Sequence, residues 1–167
     1  GTGKTLAFGI PMVEGILSKQ KKIKGIIMLP TRELALQVKD VIQKIGSPFG
    51  IKSVALIGGE SIHLQKQDLR RNHDDIIGTP GRIWDLIEQR SLNLSAIGIL
   101  VLDEADRMFD IGFAPQITKI IKVLPKERQT MLFSATMPQE IVKLALAHMK
   151  LPLRIEVAPS GTSAEKV

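Results

Sequence analysis

The 167-residue sequence contains no cysteine and no tyrosine, and its aromatic residues are limited to five phenylalanines and one tryptophan. Without cysteine, a disulfide framework, a thiolate nucleophile and a cysteine-ligated metal centre are all excluded. The shortage of aromatic side chains argues against a platform that stacks nucleic-acid bases. No apolar run approaches the roughly 20 residues of a transmembrane helix, and no signal-peptide pattern opens the chain. We therefore expect a cytoplasmic protein without membrane attachment.

The remaining composition is that of one globular domain. Hydrophobic residues make up 44% of the chain and charged residues 24%, which suffices for a buried core and argues against disorder. The net charge of +6 favours an anionic partner. Because aromatic residues are scarce, a nucleic acid bound here would be held by its backbone.

Short apolar runs alternate with amphipathic stretches along the whole chain. This alternation predicts an α/β fold, with a mostly parallel sheet and helices on both faces. We predict strands at residues 26–29, 51–57, 75–78, 97–102, 130–133 and 153–157. We predict helices at residues 61–71, 83–89, 117–124 and 138–149, a short helical piece at 107–109, and further helices that follow residues 5 and 31. Residues 158–167 have the composition of a linker, so the predicted domain covers residues 1–157.

An acidic cluster follows the apolar run 97–102, with Asp103, Glu104 and Asp106 in four positions. Ligands of open α/β sheets bind at the carboxyl ends of buried strands. Adjacent residues of an extended backbone point to opposite sides, so Asp103 and Glu104 can serve different ligands. One carboxylate could hold Mg²⁺ while the other orients water in a phosphoryl transfer. A solvated acidic turn that caps a core strand explains the same residues equally well.

The chain opens with Gly1-Thr2-Gly3-Lys4-Thr5, which fits the end of a phosphate-binding loop. Its backbone amides would surround the phosphates, Lys4 would reach the outer ones and the Thr5 hydroxyl could ligate Mg²⁺. The following helix would point its positive end at the anion. A flexible glycine-rich terminus is the alternative. Since the rest of such a loop and its strand would precede residue 1, we expect the chain to be a fragment.

Polar or glycine residues stand at the end of nearly every predicted strand. In a parallel sheet these ends lie at the same edge, so we expect that edge to form the functional surface of the domain. An exposed surface arginine remains the alternative for Arg32. The residues expected at this edge are Lys4, Arg32, Gly59, Arg82, Asp103, Glu104, Ser134 and Thr136.

Taken in order, these motifs resemble those of the first RecA-like domain of DEAD-box ATP-dependent RNA helicases. The resemblance spans essentially the whole chain, and the tail 158–167 is similar to interdomain linkers of bacterial members. The matching motifs are Gly1 to Thr5, Pro30-Thr31-Arg32-Glu33-Leu34-Ala35, Gly58-Gly59, Thr79-Pro80-Gly81-Arg82, Asp103-Glu104-Ala105-Asp106 and Ser134-Ala135-Thr136.

The resemblance implies ATP and Mg²⁺ as cofactors. Lys4 and the amides of Gly1, Thr2, Gly3 and Thr5 would bind the ATP phosphates. Thr5 and Asp103 would hold Mg²⁺, and Glu104 would orient or deprotonate the attacking water, so Lys4, Asp103 and Glu104 are the expected catalytic residues. Asp106 would pair with Ser134, Ala135 and Thr136 to couple the nucleotide to RNA.

The resemblance also implies contact with the RNA sugar-phosphate backbone, with little sequence preference and strong salt dependence. The residues expected to make it are Pro30, Thr31, Arg32, Glu33, Gly58, Gly59, Thr79, Pro80, Gly81 and Arg82.

Parts of the family pattern lie outside this sequence. The upstream adenine-recognising motif and the second RecA-like domain with its arginine fingers are missing. Arginine fingers contribute about 10³–10⁵ in rate to phosphoryl transfer. We therefore expect the isolated chain to be marginally stable, to hydrolyse ATP very slowly and to unwind no RNA. An ATP-gated RNA clamp is an alternative function, and a P-loop ATPase that acts on DNA or protein is disfavoured by the RNA motifs.

Overall fold

The computed structural model describes residues 2–18 and 22–157, and for Thr2 the backbone alone. The predicted linker 158–167, Gly1 and the Thr2 side chain lie outside this description. The strands are β1 (Lys24–Met28), β2 (Ser53–Leu56), β3 (Asp75–Gly78), β4 (Ile97–Leu102) and β5 (Gln129–Leu132). The helices are α1 (Thr2–Leu17), α2 (Arg32–Gly46), α3 (Ile62–Arg70), α4 (Pro80–Glu88), α5 (Ala105–Ile111), α6 (Ala114–Val123) and α7 (Gln139–His148), with a 3₁₀ turn at Ser47–Phe49.

The described strands form one sheet in the order β2-β3-β1-β4-β5, and every adjacent pair is parallel. Apolar side chains of α1 and α2 cover one face of the sheet. Those of α3, α4, α6 and α7 cover the other. The predicted parallel α/β fold with helices on both faces is therefore confirmed.

Strand β4 lies inside the sheet and is buried on both faces. Ile99 and Val101 join the cluster under α1 and α2, whereas Leu100 and Leu102 join the cluster on the opposite face. This alternation follows from the two-residue period of a strand. It explains why β4 is apolar throughout and why its first polar group, Asp103, comes where the sheet ends.

Helix α2 shows how local chemistry starts an element at the correct residue. Thr31 has extended backbone angles, and its hydroxyl accepts a hydrogen bond from the Leu34 N–H at 3.3 Å. This N-cap satisfies a backbone donor that the first turn leaves without a partner. Ala35, Val38 and Ile42 then present an apolar face to the sheet. The predicted cap and helix are confirmed.

The predicted strand at residues 153–157 is wrong. Leu153, Ile155 and Val157 alternate with polar residues, but they are 83%, 77% and 90% exposed. A strand needs a neighbour to satisfy its backbone groups, and this stretch pairs with no strand of the described residues. Alternation alone therefore predicted a conformation that only pairing can stabilise.

Other differences are confined to element boundaries. Helix α4 begins at Pro80, three residues before the predicted start, because proline is tolerated in the first turn of a helix.

Among the described residues, no helix combines the length and the apolar character needed to cross a bilayer.

A carboxyl group is buried at the amino end of β3. Asp75 is fully buried, and neither of its oxygens has a hydrogen-bond partner among the described residues. Burial raises the pKa of Asp75 to about 7, and the charge of Asp74 adds to this rise. The Ser53 hydroxyl, across the β2–β3 pair, and the Lys39 ammonium on α2 act in the opposite direction. Near neutral pH the folded protein therefore holds this group partly protonated.

This buried acid predicts a specific pH dependence of stability. The unfolded state has the ordinary pKa of 3.8, so the folded state binds more protons between about pH 4 and pH 7. Asp75 therefore destabilises the fold increasingly as pH rises through that range. Asp75→Asn cannot ionise at this position. We expect its advantage over wild type in unfolding free energy to grow by about 2 kcal/mol as the pH rises from 5 to 8.

Chemical denaturation of both proteins at the two pH values measures this gain. The matched control is Asp85→Asn, because Asp85 is exposed on α4. The same substitution there tests whether the gain belongs to the buried position. A gain for Asp75→Asn that stays constant between pH 5 and pH 8 would contradict the prediction.

Candidate functional site

The carboxyl ends of all five described strands meet at one edge of the sheet, because every pair is parallel. The loops after β2, β3 and β1, together with the first turns of the helices that follow them, carry the Gly58-Gly59, Thr79–Arg82 and Pro30–Glu33 motifs. Those after β4 and β5 carry Asp103–Asp106 and Ser134–Thr136. The chain reverses its winding between β1 and β4, and ligands of open α/β sheets bind at such a switch point.

Asp103 lies at this switch point, beside the start of α1. It is 8% exposed, its N–H donates to the Met28 carbonyl at 3.1 Å, and one carboxylate oxygen accepts from the Glu104 N–H at 2.9 Å. Burial raises the pKa of Asp103, the Glu104 N–H lowers it and the Glu104 charge raises it again. Lys4 also lowers this pKa, which places its ammonium within electrostatic reach of Asp103.

The same corner of the molecule suits a divalent cation. The second oxygen of Asp103 accepts no hydrogen bond from the described residues, and the Thr5 hydroxyl is held on the buried side of α1. Carboxylate and hydroxyl oxygens are hard donors of the kind that Mg²⁺ prefers. In the described part of the chain, no three acidic, histidine or cysteine side chains are arranged so that they could hold a metal ion by themselves. A cation here would therefore complete its shell with phosphate oxygens and water, as Mg²⁺ commonly does.

Glu104 occupies a strained backbone conformation. Its φ of 51° and ψ of 49° lie in the left-handed region, which is uncommon for a residue other than glycine. Glu104 is the N-cap of helix α5, which begins at Ala105. The Arg107 guanidinium lies 3.3 Å from the Glu104 carboxylate, in an ion pair that remains partly exposed.

Asp106 joins the start of α5 to the loop after β5. One carboxylate oxygen accepts from both the Thr136 hydroxyl at 2.8 Å and the Thr136 N–H at 3.0 Å. The Asp106 N–H donates to the Ser134 hydroxyl at 3.1 Å, and the other carboxylate oxygen accepts from the Arg107 N–H at 3.0 Å. Partial burial raises the pKa of Asp106, but the hydrogen bonds from Thr136, Arg107 and Ser134 together lower it below the usual value. Ala135 is exposed beside this network.

The loops after β1 and β2 also meet. Gly59 has a φ of 75°, and a Cβ added there would collide with the Arg32 guanidinium. The positive φ favours glycine at this position. The Arg32 guanidinium is the end of a flexible, exposed side chain and could move aside from a Cβ at little cost. The Arg32 guanidinium also lies 4.0 Å from the Glu60 carboxylate, in an exposed and correspondingly weak ion pair.

The predicted RNA-contacting residues differ in how much surface they offer. Arg32, Glu33 and Gly59 are exposed, and Gly58, Gly81 and Arg82 are partly so. Pro30, Thr79 and Pro80 are buried, and Thr79 is 8% exposed. The buried residues shape the turns that present the others. Gly1 and the Thr2 side chain, which belong to the predicted phosphate loop, lie outside the described residues.

Two residues of this edge were missed by the sequence predictions. Gln65 on α3 is 3% exposed and hydrogen-bonded to Arg82, and Arg107 pairs with Glu104. A signal for Gln65 existed, since it lies between Ile62 and Leu69 at helical spacing on the face that packs inward. No comparable signal indicates Arg107, because an exposed arginine after an acidic turn is common.

The fold and its carboxyl edge define an α/β domain of the RecA-like class, with its candidate site at the topological switch point. Residues 1–144 match the sequence profile of the DEAD/DEAH box helicases. The chain therefore belongs to the DEAD/DEAH box helicase family.

Known proteins of this family are similar in sequence and in structure. ATP-dependent RNA helicase DbpA of Bacillus subtilis (strain 168) is 46% identical over 167 residues, which is 100% of this chain and 35% of that protein. ATP-dependent RNA helicase DBP10 of Ajellomyces capsulatus (strain NAm1 / WU24) is 46% identical over 159 residues, 94% of this chain and 18% of that protein. A crystal structure of a DEAD box protein from the hyperthermophile Methanococcus jannaschii matches with a TM-score of 0.82 and 41% identity, over 88% of this chain and 40% of that one.

Two points follow from these relatives. The chain spans 35% of the length of the Bacillus relative and 18% of the fungal one, so it corresponds to a part of each. The two are equally identical to it, so a bacterial origin stays a prediction.

The Asp106 network predicts a measurable titration change. Thr136→Val removes the hydroxyl that donates to Asp106 at 2.8 Å, so the charged carboxylate loses its closest hydrogen bond. We expect the pKa of Asp106 to rise relative to wild type. NMR titration of ¹³C-labelled aspartate carboxyl groups measures this shift directly.

The matched control is Thr118→Val. The Thr118 hydroxyl donates to the Ala114 carbonyl within α6 at 2.9 Å. It makes no contact with Asp106, so this variant should leave the Asp106 titration unchanged. An unchanged Asp106 pKa in Thr136→Val would show that the hydroxyl does not stabilise the carboxylate in solution.

Proposed function

We propose that this chain forms the ATP-binding and RNA-binding half of an ATP-dependent RNA helicase, which hydrolyses ATP to remodel or unwind short RNA duplexes. The observation that carries the proposal is the shared sheet edge. Lys4, Asp103 and Glu104 lie at one side of it, and the Arg32 and Gly59 surface lies at the other. One domain can therefore sense a nucleotide and an RNA backbone at the same time.

The nucleotide would bind at the start of α1. The amides of Gly1 to Thr5 and the Lys4 ammonium would hold its phosphates, at the positive end of the helix. Thr5 and Asp103 would ligate Mg²⁺, which when bound neutralises charge on the phosphates. Glu104 would orient or deprotonate the attacking water, since it directly follows Asp103 at the carboxyl end of β4. Lys4, Asp103 and Glu104 are the proposed catalytic residues.

The RNA would lie across the loops after β1, β2 and β3. Arginine guanidinium groups and glycine amides suit phosphate oxygens, and neither reads a base. The net charge of +6 supports this choice of partner. The proposed contacts are Pro30, Thr31, Arg32, Glu33, Gly58, Gly59, Thr79, Pro80, Gly81 and Arg82.

Asp106 would couple the two ligands through Ser134, Ala135 and Thr136. Its hydrogen bonds tie α5, which follows the Glu104 turn, to the loop after β5. A change in that loop on RNA binding would therefore reach the catalytic carboxylates. We further propose that residues 1–157 form the domain, that 158–167 begin a linker, and that a second RecA-like domain of the same protein completes the site. A cytoplasmic location stays a prediction from the sequence.

The catalytic assignment predicts the effect of one substitution. Glu104→Gln keeps the size of the side chain but removes the carboxylate that acts on water. We expect RNA-stimulated ATP turnover of the intact protein to fall by at least about 100-fold, while ATP affinity stays within twofold. Phosphate release and nucleotide binding are the two measurements.

Glu14→Gln serves as the matched control, because Glu14 is exposed on α1 and distant in sequence from Lys4. It should turn over ATP at the wild-type rate. Wild-type turnover by Glu104→Gln would remove Glu104 from the mechanism.

Backbone recognition predicts how RNA binding depends on salt. Each cationic contact to a phosphate releases counterions, so affinity should fall linearly with salt on logarithmic axes. We expect Arg32→Ala to lower the magnitude of that slope by about one, with equal effects on RNAs of different sequence. Fluorescence anisotropy titrations of RNA binding between roughly 50 and 200 mM salt measure this slope. A slope that Arg32→Ala does not change would exclude this arginine from the phosphate contacts.

A further inference from the structure

Gln65 is a buried polar residue between two of the proposed RNA-binding loops. It is 3% exposed on α3, in a position where its neighbours along the helix face pack into the core. Its side-chain N–H donates to the Ile57 carbonyl at 2.9 Å, and its side-chain oxygen accepts from Arg82 Nη1 at 2.9 Å. Both hydrogen-bonding groups of the carboxamide are therefore used inside the protein.

The chemistry of this position is specific for a carboxamide. A carbonyl such as that of Ile57 can only accept a hydrogen bond, and a guanidinium such as that of Arg82 can only donate. The residue between them must donate on one side and accept on the other. Glutamate would lose the donor, methionine would lose both groups, and either change would leave a buried polar partner unsatisfied.

The guanidinium of Arg82 is held on one side and open on the other. Nη1 donates to the Gln65 side chain and to the Glu60 carbonyl, at 2.9 and 3.1 Å. These are its hydrogen bonds to the described residues, and both leave from the same nitrogen. The N–H groups on Nη2 and Nε remain for a ligand, and this edge of a guanidinium matches two oxygens of a phosphate.

The same network brackets the Gly58-Gly59 turn. The carbonyl before the turn, on Ile57, binds Gln65, and the carbonyl after it, on Glu60, binds Arg82. Gly59 in turn lies directly against the Arg32 guanidinium. The loops after β2 and β3 are thereby joined through one buried side chain.

We propose that Gln65 is a positioning residue for RNA binding, which holds Arg82 and the Gly58-Gly59 turn as one preorganised phosphate-binding unit. This inference rests on the proposed function, since it deepens the account of the RNA surface. A free surface arginine loses side-chain entropy when it binds a ligand. Arg82 has already lost that freedom, so its open edge binds phosphate without a further ordering step.

The test compares Gln65→Met with wild type in the intact protein. Methionine keeps the length and volume of the side chain, but it has no donor for the Ile57 carbonyl and only a weakly accepting sulfur for Arg82. We expect the RNA concentration for half-maximal ATPase stimulation to rise about tenfold. A change of this size corresponds to the loss of one buried charge-assisted hydrogen bond. ATP affinity and the turnover rate at saturating RNA should stay within twofold. A general loss of structure would change all three quantities.

Gln67→Met is the matched control, because Gln67 lies two residues after Gln65 on the same helix and is exposed. Among the residues that the structure describes, its side chain forms a hydrogen bond to the exposed His63 alone, at 3.1 Å. The same chemical change there should leave RNA stimulation at the wild-type level.

A double-mutant cycle with Arg82→Ala shows whether Gln65 acts through Arg82. If it does, Gln65→Met should weaken RNA binding by less than threefold in the Arg82→Ala background. A full tenfold loss in that background would overturn the proposal, as would wild-type RNA affinity in Gln65→Met alone. Absence of RNA binding by the wild-type protein would instead refute the proposed function itself.

Gln65→Glu keeps the inference testable if the methionine variant does not fold. Glutamate still accepts from Arg82 but no longer donates to Ile57. Its carboxylate would also place a negative charge beside the proposed phosphate site, so we expect RNA affinity to fall by about tenfold or more. Wild-type RNA affinity in Gln65→Glu would overturn the proposal.

Discussion

Parallel pairing of β4 with β1 on one side and β5 on the other is the constraint on which the rest of this structure depends. Parallel strands need crossover connections, so every loop that follows a strand emerges at the same edge. That single requirement brings together motifs from both ends of the chain. It places the Asp103 turn between the Arg32 loop and the Ser134 loop, at the point where the winding reverses.

The buried interior of the sheet holds the charged side chains at this edge in defined positions. Leu102 is buried, and the next residue, Asp103, keeps one oxygen on the Glu104 amide. Asp106 is tied to Thr136, and Arg82 is tied to Gln65. These hydrogen bonds hold Asp103 to its own turn, Asp106 to the loop after β5 and Arg82 to helix α3. Ordering is thus completed on folding, which leaves less to be ordered when a ligand binds.

Much of the fold followed from local patterns. The apolar runs located β3 and β4 at their observed bounds, and Thr31 marked the start of α2 through its N-cap. These predictions succeeded because burial on both faces and capping are local properties. Residues 153–157 failed because alternation describes one face of a strand and says nothing about its neighbour. The motifs located most of the candidate site, since short patterns carry the chemistry of phosphate and metal binding.

The sequence by itself determined the fold class, the family and the identity of the residues with reactive or charged groups. Composition excluded thiol chemistry and argued against base stacking, and the strand-end motifs indicated phosphate ligands. Only the tertiary structure decided which of these groups meet. The Arg82–Gln65 and Asp106–Thr136 contacts join residues 17 and 30 positions apart, in elements that the strand order brings together. Sheet topology is set by long-range packing, so neither contact can be read from the spacing of residues along the chain.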